Sequence, residues 1–299
     1  MTKLKIAIVG CGRVSKYHIK VFLDLKDKFK LVSLCDKDKE IVNNLKKDLK
    51  INIYSNLGQM LKNEEIDILS VCTPNGLHYE NAMLASEYGV NVIVEKPLTT
   101  KWNDGLRMIE TFKEKKLNLY VVKQNRYNPT LVNLKKAIKE NRFGKIHMIN
   151  INVFWTRPQR YYDQAEWRGT KELDGGALMN QASHYIDLLH WLGGPIKRVH
   201  SLSSTFLDID VEDTSVLNIL WKNGAIGSMS VSMLTYPENF EGSATIIGEN
   251  GLVRVSGVAC NKIEEWKFKI PKKDDEYIKS SNYEPKVYSS KNRCLLYFK

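Results

Sequence analysis

An apolar stretch, a glycine-rich turn and a helix-like stretch follow one another at the start of the chain. Lys5-Ile-Ala-Ile-Val9 is followed directly by Gly10-Cys-Gly12-Arg-Val-Ser15. This is the Gly-x-Gly-x-x-Gly/Ala pattern, in which the first glycine permits a tight turn and the second lets backbone reach a pyrophosphate. The third position must be small for helix–strand packing, and serine meets that need. The motif alone is weak, but its place between a strand and a helix predicts a dinucleotide-binding unit.

An acidic residue ends the second apolar stretch, Leu31 to Asp36, 24 residues after Gly12. A carboxylate at this place accepts hydrogen bonds from a ribose diol, and its charge repels a 2'-phosphate. Asp36 therefore favours NAD over NADP, although the neighbouring Lys37 could soften the preference.

The alternation of strands and helices continues to about residue 123. The pattern predicts helices at 39–49, 78–88 and 102–115, and strands near Ile53 and at 66–72, 91–95 and 119–123. Such alternation is typical of a doubly wound parallel sheet, whose ligand lies outside the carboxyl ends of the strands. The residues predicted at those ends to bind the cofactor are Gly10, Gly12, Arg13, Val14, Asp36, Thr73, Pro74, Asn75, His78, Glu95, Lys96 and Gln124.

Lys96 is the strongest candidate among them for a functional role, because it lies between a carboxylate and a proline at a predicted sheet edge. One interpretation is structural, an ion pair with Glu95. The other is functional: the ammonium holds a substrate hydroxyl, or the nicotinamide ribose, where hydride passes.

A second chemical feature is the stretch from Asp174 to Leu192, which begins with two glycines. Apolar residues at 178, 182, 185, 186, 189 and 192 predict a helix with one core-facing stripe. Asn180, His184, Asp187 and Trp191 fall on another face. His184 is either a satisfied core histidine or a proton-handling group. Asp187 either orients His184 or caps a polar face.

Bulk properties exclude several classes of protein. A chain of 299 residues suggests two domains, and its apolar runs are far too short for a membrane span. Five scattered cysteines without CxxC spacing argue against a disulfide framework or a metal site, and no signal peptide is evident. The net charge of +11 is mostly lysine spread along the chain, which disfavours nucleic acid and allows an acidic small molecule. We expect a cytoplasmic protein.

The motifs together resemble the Gfo/Idh/MocA sugar oxidoreductases. Gly10-Cys-Gly-Arg-Val, Asp36, Thr73-Pro-Asn, Glu95-Lys-Pro97 and the glycine-rich approach to His184 occur in that family's order, up to about residue 255. The resemblance implies that Lys96 and His184 are the catalytic pair, with NAD as cofactor. It implies an α/β fold, with a Rossmann domain at 1–123 and an α+β domain at 124–299 that holds a large open, mostly antiparallel sheet.

Residues 150–184 resemble a narrower branch, the UDP-N-acetylglucosaminuronic acid 3-dehydrogenases of surface-polysaccharide synthesis. These oxidise the sugar C3 hydroxyl with NAD before an aminotransferase acts, and some reoxidise NADH with 2-oxoglutarate. The same stretch combines three arginines with four aromatic residues: Arg157, Arg160 and Arg168 with Trp155, Tyr161, Tyr162 and Trp167. One interpretation is ligand binding, in which guanidinium groups bind phosphate or carboxylate and the rings stack on a base or sugar. The other is a loop held by aromatic packing and surface charge. The predicted substrate-binding residues are Lys96, Arg126, Tyr127, Arg157, Arg160, Tyr161, Arg168, Asn180, Gln181 and His184.

The second domain also carries strand signals, near 196–205, 213–221 and 225–234 and in a pair around residues 248–251, with a hairpin turn at Lys222-Asn-Gly224. Such a sheet suits a homodimer or homotetramer. Two departures from the family stand out. Asn180 replaces a usual aspartate, so the proton role rests on His184 with Lys96. The tail at 286–299 lacks helical periodicity and is atypical.

We therefore expect NAD-dependent oxidation of UDP-N-acetylglucosaminuronate at C3. The alternatives are the same reaction on UDP-N-acetylglucosamine, or dehydrogenation of another sugar or of inositol. A non-catalytic nucleotide-sensing module is disfavoured because Lys96 and His184 are both present. The sequence leaves open which sugar is used, the oligomeric state, how NADH is reoxidised and whether the tail is native.

Overall fold

The computed structural model describes residues 2–48, 51–280 and 282. The atypical tail at 286–299 lies outside the described residues. The chain folds into two compact units. Among the described residues, the first unit holds those up to Val122 and the short segment Glu172–Asp174, and the second holds Lys123–Lys171 and those from Gly175 to Asn282.

The first unit is built from six strands and five helices within its described residues. The strands are β1 Leu4–Val9, β2 Phe29–Cys35, β3 Asn52–Tyr54, β4 Ile68–Val71, β5 Asn91–Val94 and β6 Leu119–Val121. The helices are α1 Ser15–Asp24, α2 Lys39–Asp48, α3 Leu57–Asn63, α4 His78–Glu87 and α5 Trp102–Glu114, with one 3₁₀ turn, Asn75–Leu77.

These six strands form one sheet in the order β3-β2-β1-β4-β5-β6, and every neighbouring pair is parallel. Ile6 and Ile8 of β1 enter one apolar cluster, while Ala7 and Val9 enter another. Because successive side chains of a strand point to opposite faces, this central strand is buried on both sides. The order reverses at β1 and β4, which places the ends of these two strands at the ligand crevice expected for such a sheet.

The second unit contains seven strands and four helices among its described residues. The strands are β7 Ile146–Phe154, β8 Ile196–Ser204, β9 Thr214–Trp221, β10 Ile226–Ser232, β11 Glu241–Gly248, β12 Gly251–Ser256 and β13 Lys262–Phe268. The helices are α6 Pro129–Lys139, α7 Gln159–Tyr162, α8 Ser183–Gly193 and α9 Asp275–Ser280, with a 3₁₀ turn at Gln124–Tyr127 and a π-helical segment at Ala177–Gln181.

The seven strands make one sheet in the order β13-β12-β11-β7-β10-β9-β8. All neighbours are antiparallel except β7 and β10, which run parallel. Ile149, Ile151 and Val153 of β7 lie in the same apolar core as the buried residues of α6 and α8. The opposite face of the sheet carries exposed apolar side chains, among them Val216 and Ile226.

The predicted fold class is confirmed: a parallel Rossmann sheet and a second, mostly antiparallel sheet. The predicted strands and helices of the first unit are present, with ends that differ by one to a few residues, and the hairpin turn at 222–224 joins β9 to β10 as predicted. Strand β7, in the middle of the second sheet, was not predicted, and neither were α3 and β13.

The single helix predicted across residues 178–192 is wrong. The chain instead forms the π-helical segment Ala177–Gln181 and then α8. The predicted core-facing stripe is nevertheless largely confirmed, since Ala182, Tyr185, Leu189 and Leu192 are buried. Ile186, predicted to face the core, is 37% exposed, and the buried stripe of α8 is Tyr185, Leu188, Leu189 and Leu192.

None of the helices in the described part of the chain combines the length and apolar composition that crossing a bilayer needs.

Candidate active site

The glycine-rich turn packs against the end of β4. Gly10 has a φ of +84°, and its N–H donates to the Cys35 carbonyl at 2.9 Å. A Cβ at Gly10 would lie 2.6 Å from the backbone of Cys72 and Thr73. Positive φ and this close approach both require glycine, so the turn can take its shape only with this residue.

The remainder of the turn fits a bound pyrophosphate. A Cβ on Gly12 would meet no protein atom within 4 Å, so packing within the protein does not require glycine there. Ser15 is buried and its hydroxyl donates to the Gly12 carbonyl at 2.7 Å, which fixes the turn on the first residue of α1. The first turn of α1 carries no acidic side chain, so its N–H groups remain suited to an anion. Arg13 is exposed and Val14 is half-buried beside them.

Asp36 joins the end of β2 to the glycine-rich turn. Its Oδ2 accepts from the Cys11 N–H at 2.6 Å and its Oδ1 accepts from the Asp38 N–H at 2.9 Å. Each carboxylate oxygen has a further lone pair, which leaves capacity for a ribose diol. The geometry fits the adenosine half of NAD, and the negative charge opposes a 2'-phosphate.

The loop after β4 is held from within the first unit. The buried Asn75 side chain donates to the Asp174 carbonyl at 2.8 Å. His78 is fully buried, with Nδ1 2.7 Å from the Pro97 carbonyl and Nε2 2.9 Å from the Thr73 carbonyl. Burial lowers the pKa of His78, although both carbonyl contacts oppose this. The side chains of Asn75 and His78 therefore brace two sheet-edge loops, while Thr73 and Pro74 are partly accessible.

Lys96 follows β5, and the peptide bond between Lys96 and Pro97 is cis. The preceding Glu95 is buried: its Oε1 lies 2.9 Å from Nε2 of His18, and its Oε2 accepts from the Lys96 backbone N–H at 3.1 Å. His18 was not singled out by its sequence position, and only the fold brings it to Glu95.

His184 lies near the start of α8 and is 6% exposed. The preceding residues are shaped by Gly176, whose φ is +90° and whose Cβ would lie within 2.5 Å of the Glu212 carboxylate. Glu212 accepts the Leu178 N–H at 2.9 Å through Oε1, and its carbonyl accepts the Ala177 N–H. Glu212, which the sequence did not point to, therefore holds the π-helical segment that carries Asn180.

Asp187, one turn after His184, forms a two-point ion pair with Arg126. The guanidinium donates from Nε at 2.7 Å and from Nη2 at 2.6 Å. The structure therefore gives the Asp187 carboxylate a partner, Arg126, that the sequence did not indicate. Lys123 lies close by, and burial lowers its pKa despite the Asp187 charge.

The arginine-rich stretch collects around Tyr161. Arg157 donates to the Gln181 side-chain oxygen at 3.0 Å, and the Gln181 amide donates to the Tyr161 hydroxyl at 3.0 Å. The Arg168 guanidinium carbon lies 4.2 Å from the centre of the Tyr161 ring and 4.8 Å from that of Trp167. The structure thus brings together Arg157, Tyr161, Arg168 and Gln181.

Two other predicted substrate residues are more exposed. Arg160 lies in the short helix α7 with an exposed side chain, and Tyr127 is 44% exposed at the end of the 3₁₀ turn. Gln124, which begins that turn, was predicted to contact the cofactor. Among the described residues, no donor meets its buried Oε1. The described residues contain no cluster of His, Cys, Asp and Glu able to hold a metal ion.

Comparison with known proteins decides the family. Residues 4–123 match the oxidoreductase family with an NAD-binding Rossmann fold, and residues 131–254 match the GFO/IDH/MocA C-terminal domain. The chain belongs to the Gfo/Idh/MocA family. It is an NAD-dependent oxidoreductase, as the resemblance predicted.

Two solved structures are similar over nearly the whole chain. The WlbA dehydrogenase from Bordetella pertussis, in complex with NADH and UDP-GlcNAcA, is 48% identical over 99% of this chain and 86% of its own, with a TM-score of 0.95. WlbA from Chromobacterium violaceum, with the same ligands, is 48% identical over 93% of this chain and 81% of its own, with a TM-score of 0.91. Levoglucosan dehydrogenase from Pseudarthrobacter phenanthrenivorans is 26% identical over 68% of this chain, and the match spans 58% of that protein.

Proposed function

We propose that this oxidoreductase uses NAD to oxidise the C3 hydroxyl of UDP-N-acetylglucosaminuronate to a ketone. The observation that carries the proposal is the 48% identity, over 99% of this chain, to a WlbA dehydrogenase whose structure contains NADH and UDP-GlcNAcA. Relatives with more distant substrates match at roughly half that identity.

The cluster around Tyr161 supports an anionic nucleotide sugar. Such a substrate carries a diphosphate and a carboxylate, and guanidinium groups bind both in bidentate fashion. Arg157 is oriented by Gln181, and Arg168 is stacked on aromatic rings, so both cations are positioned before a ligand arrives. Within the described residues, no acceptor meets the buried Nε of Arg168, which leaves a donor for such a ligand.

In this proposal each residue has one role. His184 takes the C3 hydroxyl proton as general base, which suits an imidazole near neutral pH. Lys96 holds the same oxygen and stabilises its developing negative charge. Asn180 binds a sugar hydroxyl, because an amide can donate and accept but cannot take a proton. NAD, when bound, supplies the acceptor for the hydride that leaves C3.

Side-by-side turnover tests the substrate. Purified protein with NAD should form NADH with UDP-N-acetylglucosaminuronate, and much more slowly with UDP-N-acetylglucosamine or inositol. Lys96→Met and His184→Asn should each lower kcat by about 10²- to 10⁴-fold, the range for lost acid–base catalysis, with NAD affinity nearly intact. Normal turnover in either variant would refute the assigned roles, and a preference for the uncharged sugar would refute the substrate.

The remaining expectations rest on the same reaction. A 3-keto sugar nucleotide suits an aminotransferase as the next enzyme, and 2-oxoglutarate remains the predicted acceptor that reoxidises NADH. The exposed apolar face of the second sheet supports self-association as a dimer or tetramer. Light scattering during size-exclusion chromatography would measure it, and Val216→Asp should reduce it. Cytoplasmic location stays a prediction.

A further inference from the structure

Three buried polar side chains next to Lys96 are linked by hydrogen bonds and take no part in the proposed reaction. His18 of α1, Ser70 of β4 and Glu95 after β5 are each less than 10% exposed, and all belong to the first unit. The His18 ring joins the other two: Nε2 lies 2.9 Å from Glu95 Oε1 and Nδ1 lies 2.9 Å from Ser70 Oγ. Three elements of the fold therefore meet at one histidine.

The charges of His18 and Glu95 are set by their contacts. Burial disfavours a charged imidazole, but the neighbouring Cys72 sulfur and the Glu95 carboxylate outweigh it and raise the pKa of His18 well above its ordinary value. Burial raises the pKa of Glu95, but His18 and Lys96 outweigh burial and lower it. Both shifts favour the charged form of each group, an imidazolium beside a carboxylate. Among the described residues, the other charged or titratable groups near them are Cys72, Lys96 and His78.

Stability alone does not account for such a pair. Replacing a buried ion pair with apolar residues of similar volume is often neutral or stabilising, because removing two charges from water is costly. The pair also lies directly beside the lysine that the proposed reaction uses.

We propose that His18 is a positioning residue for Lys96 and acts through Glu95. With one oxygen bound to His18, the Glu95 carboxylate presents its other oxygen to the Lys96 backbone N–H and fixes that peptide. The hydrogen bond from His18 also satisfies one carboxylate oxygen, which limits how strongly Glu95 attracts the Lys96 ammonium away from a substrate oxygen. Because His18 lies one turn after Ser15, the pair connects the glycine-rich turn to Lys96. The inference rests on the proposed role of Lys96.

Two amide substitutions test the two ring nitrogens of His18 separately. In His18→Gln the side-chain nitrogen takes the place of Nε2 and keeps a donor for Glu95. In His18→Asn the nitrogen takes the place of Nδ1 and reaches Ser70 only. Both variants are uncharged amides at one helical position, so a general packing defect would affect them alike.

The first readout does not need the sugar substrate. Full-length protein with NAD is acetylated briefly by trace acetic anhydride, and mass spectrometry compares Lys96 with the exposed Lys101. Without a hydrogen bond from His18, the Glu95 carboxylate should interact more strongly with the Lys96 ammonium and raise its pKa. Each unit by which the lysine pKa rises lowers its labelling tenfold. We expect Lys96 labelling to fall by about tenfold in His18→Asn and to stay within about threefold of the parent in His18→Gln.

The second readout is turnover at saturating NAD and UDP-N-acetylglucosaminuronate. His18→Asn should lower kcat by about 10- to 100-fold, the range for a misplaced catalytic group, with a smaller change in KM for NAD, and His18→Gln should keep most of kcat. Equal losses in the two variants, or unchanged Lys96 labelling in His18→Asn, would overturn the inference. If His18→Asn does not fold, Glu95→Gln replaces it: loss of the carboxylate charge should raise Lys96 labelling, and unchanged or lower labelling overturns the inference.

The two readouts distinguish the possible failures. Absent turnover of UDP sugars by the parent protein refutes the proposed function, while the labelling ratios still decide the role of His18. Turnover as proposed, with equal labelling in the two His18 variants, refutes the inference alone.

Discussion

Replacing Asp36 with asparagine should lower the preference of the protein for NAD over NADP by about 100-fold. The carboxylate is held by the Cys11 and Asp38 N–H groups at 2.6 and 2.9 Å, so its position is fixed before a ribose arrives. A hydrogen bond to a charged acceptor contributes about 1.5–3 kcal/mol, against about 0.5–1.5 kcal/mol for a neutral one. NAD should therefore lose about 1–2 kcal/mol of binding free energy in Asp36→Asn.

NADP should gain in the same variant. Two unit charges 4 Å apart at a protein surface repel by about 4 kcal/mol, and removing the carboxylate removes this term. Even a partly screened repulsion of about 1.5 kcal/mol, added to the loss for NAD, changes the ratio of the two affinities by about 100-fold.

The folded structure should tolerate the change. Asparagine retains one side-chain oxygen, which can accept from the part-buried Cys11 N–H, while water can replace the acceptor of the exposed Asp38 N–H. The assay is titration of NADH and NADPH, followed by nicotinamide fluorescence, at one fixed ionic strength. Asp38→Asn is the matched control, because it removes the same charge two residues away and should leave the ratio unchanged. An unchanged ratio in Asp36→Asn, or equal changes in both variants, would refute this reasoning.

Four further variants are expected to change stability, cofactor binding or substrate binding. Gly10→Ala should cost at least about 1–3 kcal/mol of folding stability in thermal or chemical denaturation. The residue has a positive φ, and the added Cβ would lie 2.6 Å from the backbone of Cys72 and Thr73. Gly12→Ala should leave stability intact and weaken NAD binding by titration; similar melting of the two variants would contradict this. Asp275→Asn should lower the free energy of unfolding by about 3–5 kcal/mol near neutral pH, since it leaves the buried Arg142 without its counterion. Arg142 holds the pKa of Asp275 below its ordinary value, so this ion pair contributes fully to the free energy of unfolding above the ordinary aspartate pKa. The contribution is lost as pH falls through the pKa of the folded state. If acid destabilised the parent protein no more than the variant, this prediction would be refuted. Arg168→Lys should raise KM for the nucleotide sugar about tenfold with kcat nearly unchanged in steady-state assays, because lysine cannot stack as arginine does; an unchanged KM would remove Arg168 from the site.

Local signals made the first unit predictable. Its strands are short apolar runs that end in glycine, proline or a polar residue, because both faces of the sheet are buried. The turn at Gly10 could be predicted because only glycine takes its backbone conformation. The place of Asp36 beside that turn followed from the parallel order of neighbouring strands.

The second unit was harder to predict because its decisive contacts join residues far apart in sequence. Glu212 shapes the segment before His184 from 34 residues away, and nothing in its local sequence marks it. The ion pair of Arg126 with Asp187 spans 61 residues, so the helix pattern alone could not identify the partner of Asp187. Strand β7 alternates apolar residues with asparagines, and its central place depends on pairing with β10 and β11.

The hydrogen bonds that link Ser70, His18 and Glu95 were hard to predict for the same reason. The bonded pairs are 52 and 77 residues apart in sequence, and each member is an ordinary residue in its own element. Glu95 and Lys96 could be predicted as a sheet-edge pair, but the carboxylate proved to be bound by His18 and by the Lys96 backbone.

The most direct test of the proposed reaction follows the hydrogen on C3. UDP-N-acetylglucosaminuronate deuterated only at C3 is incubated with the protein and NAD, and the nicotinamide product is analysed by NMR and mass spectrometry. The account predicts one deuterium on the reduced nicotinamide ring for each 3-keto sugar formed, and no such product in Lys96→Met or His184→Asn. Reduced nicotinamide without deuterium, or a carbonyl at another carbon, would contradict it.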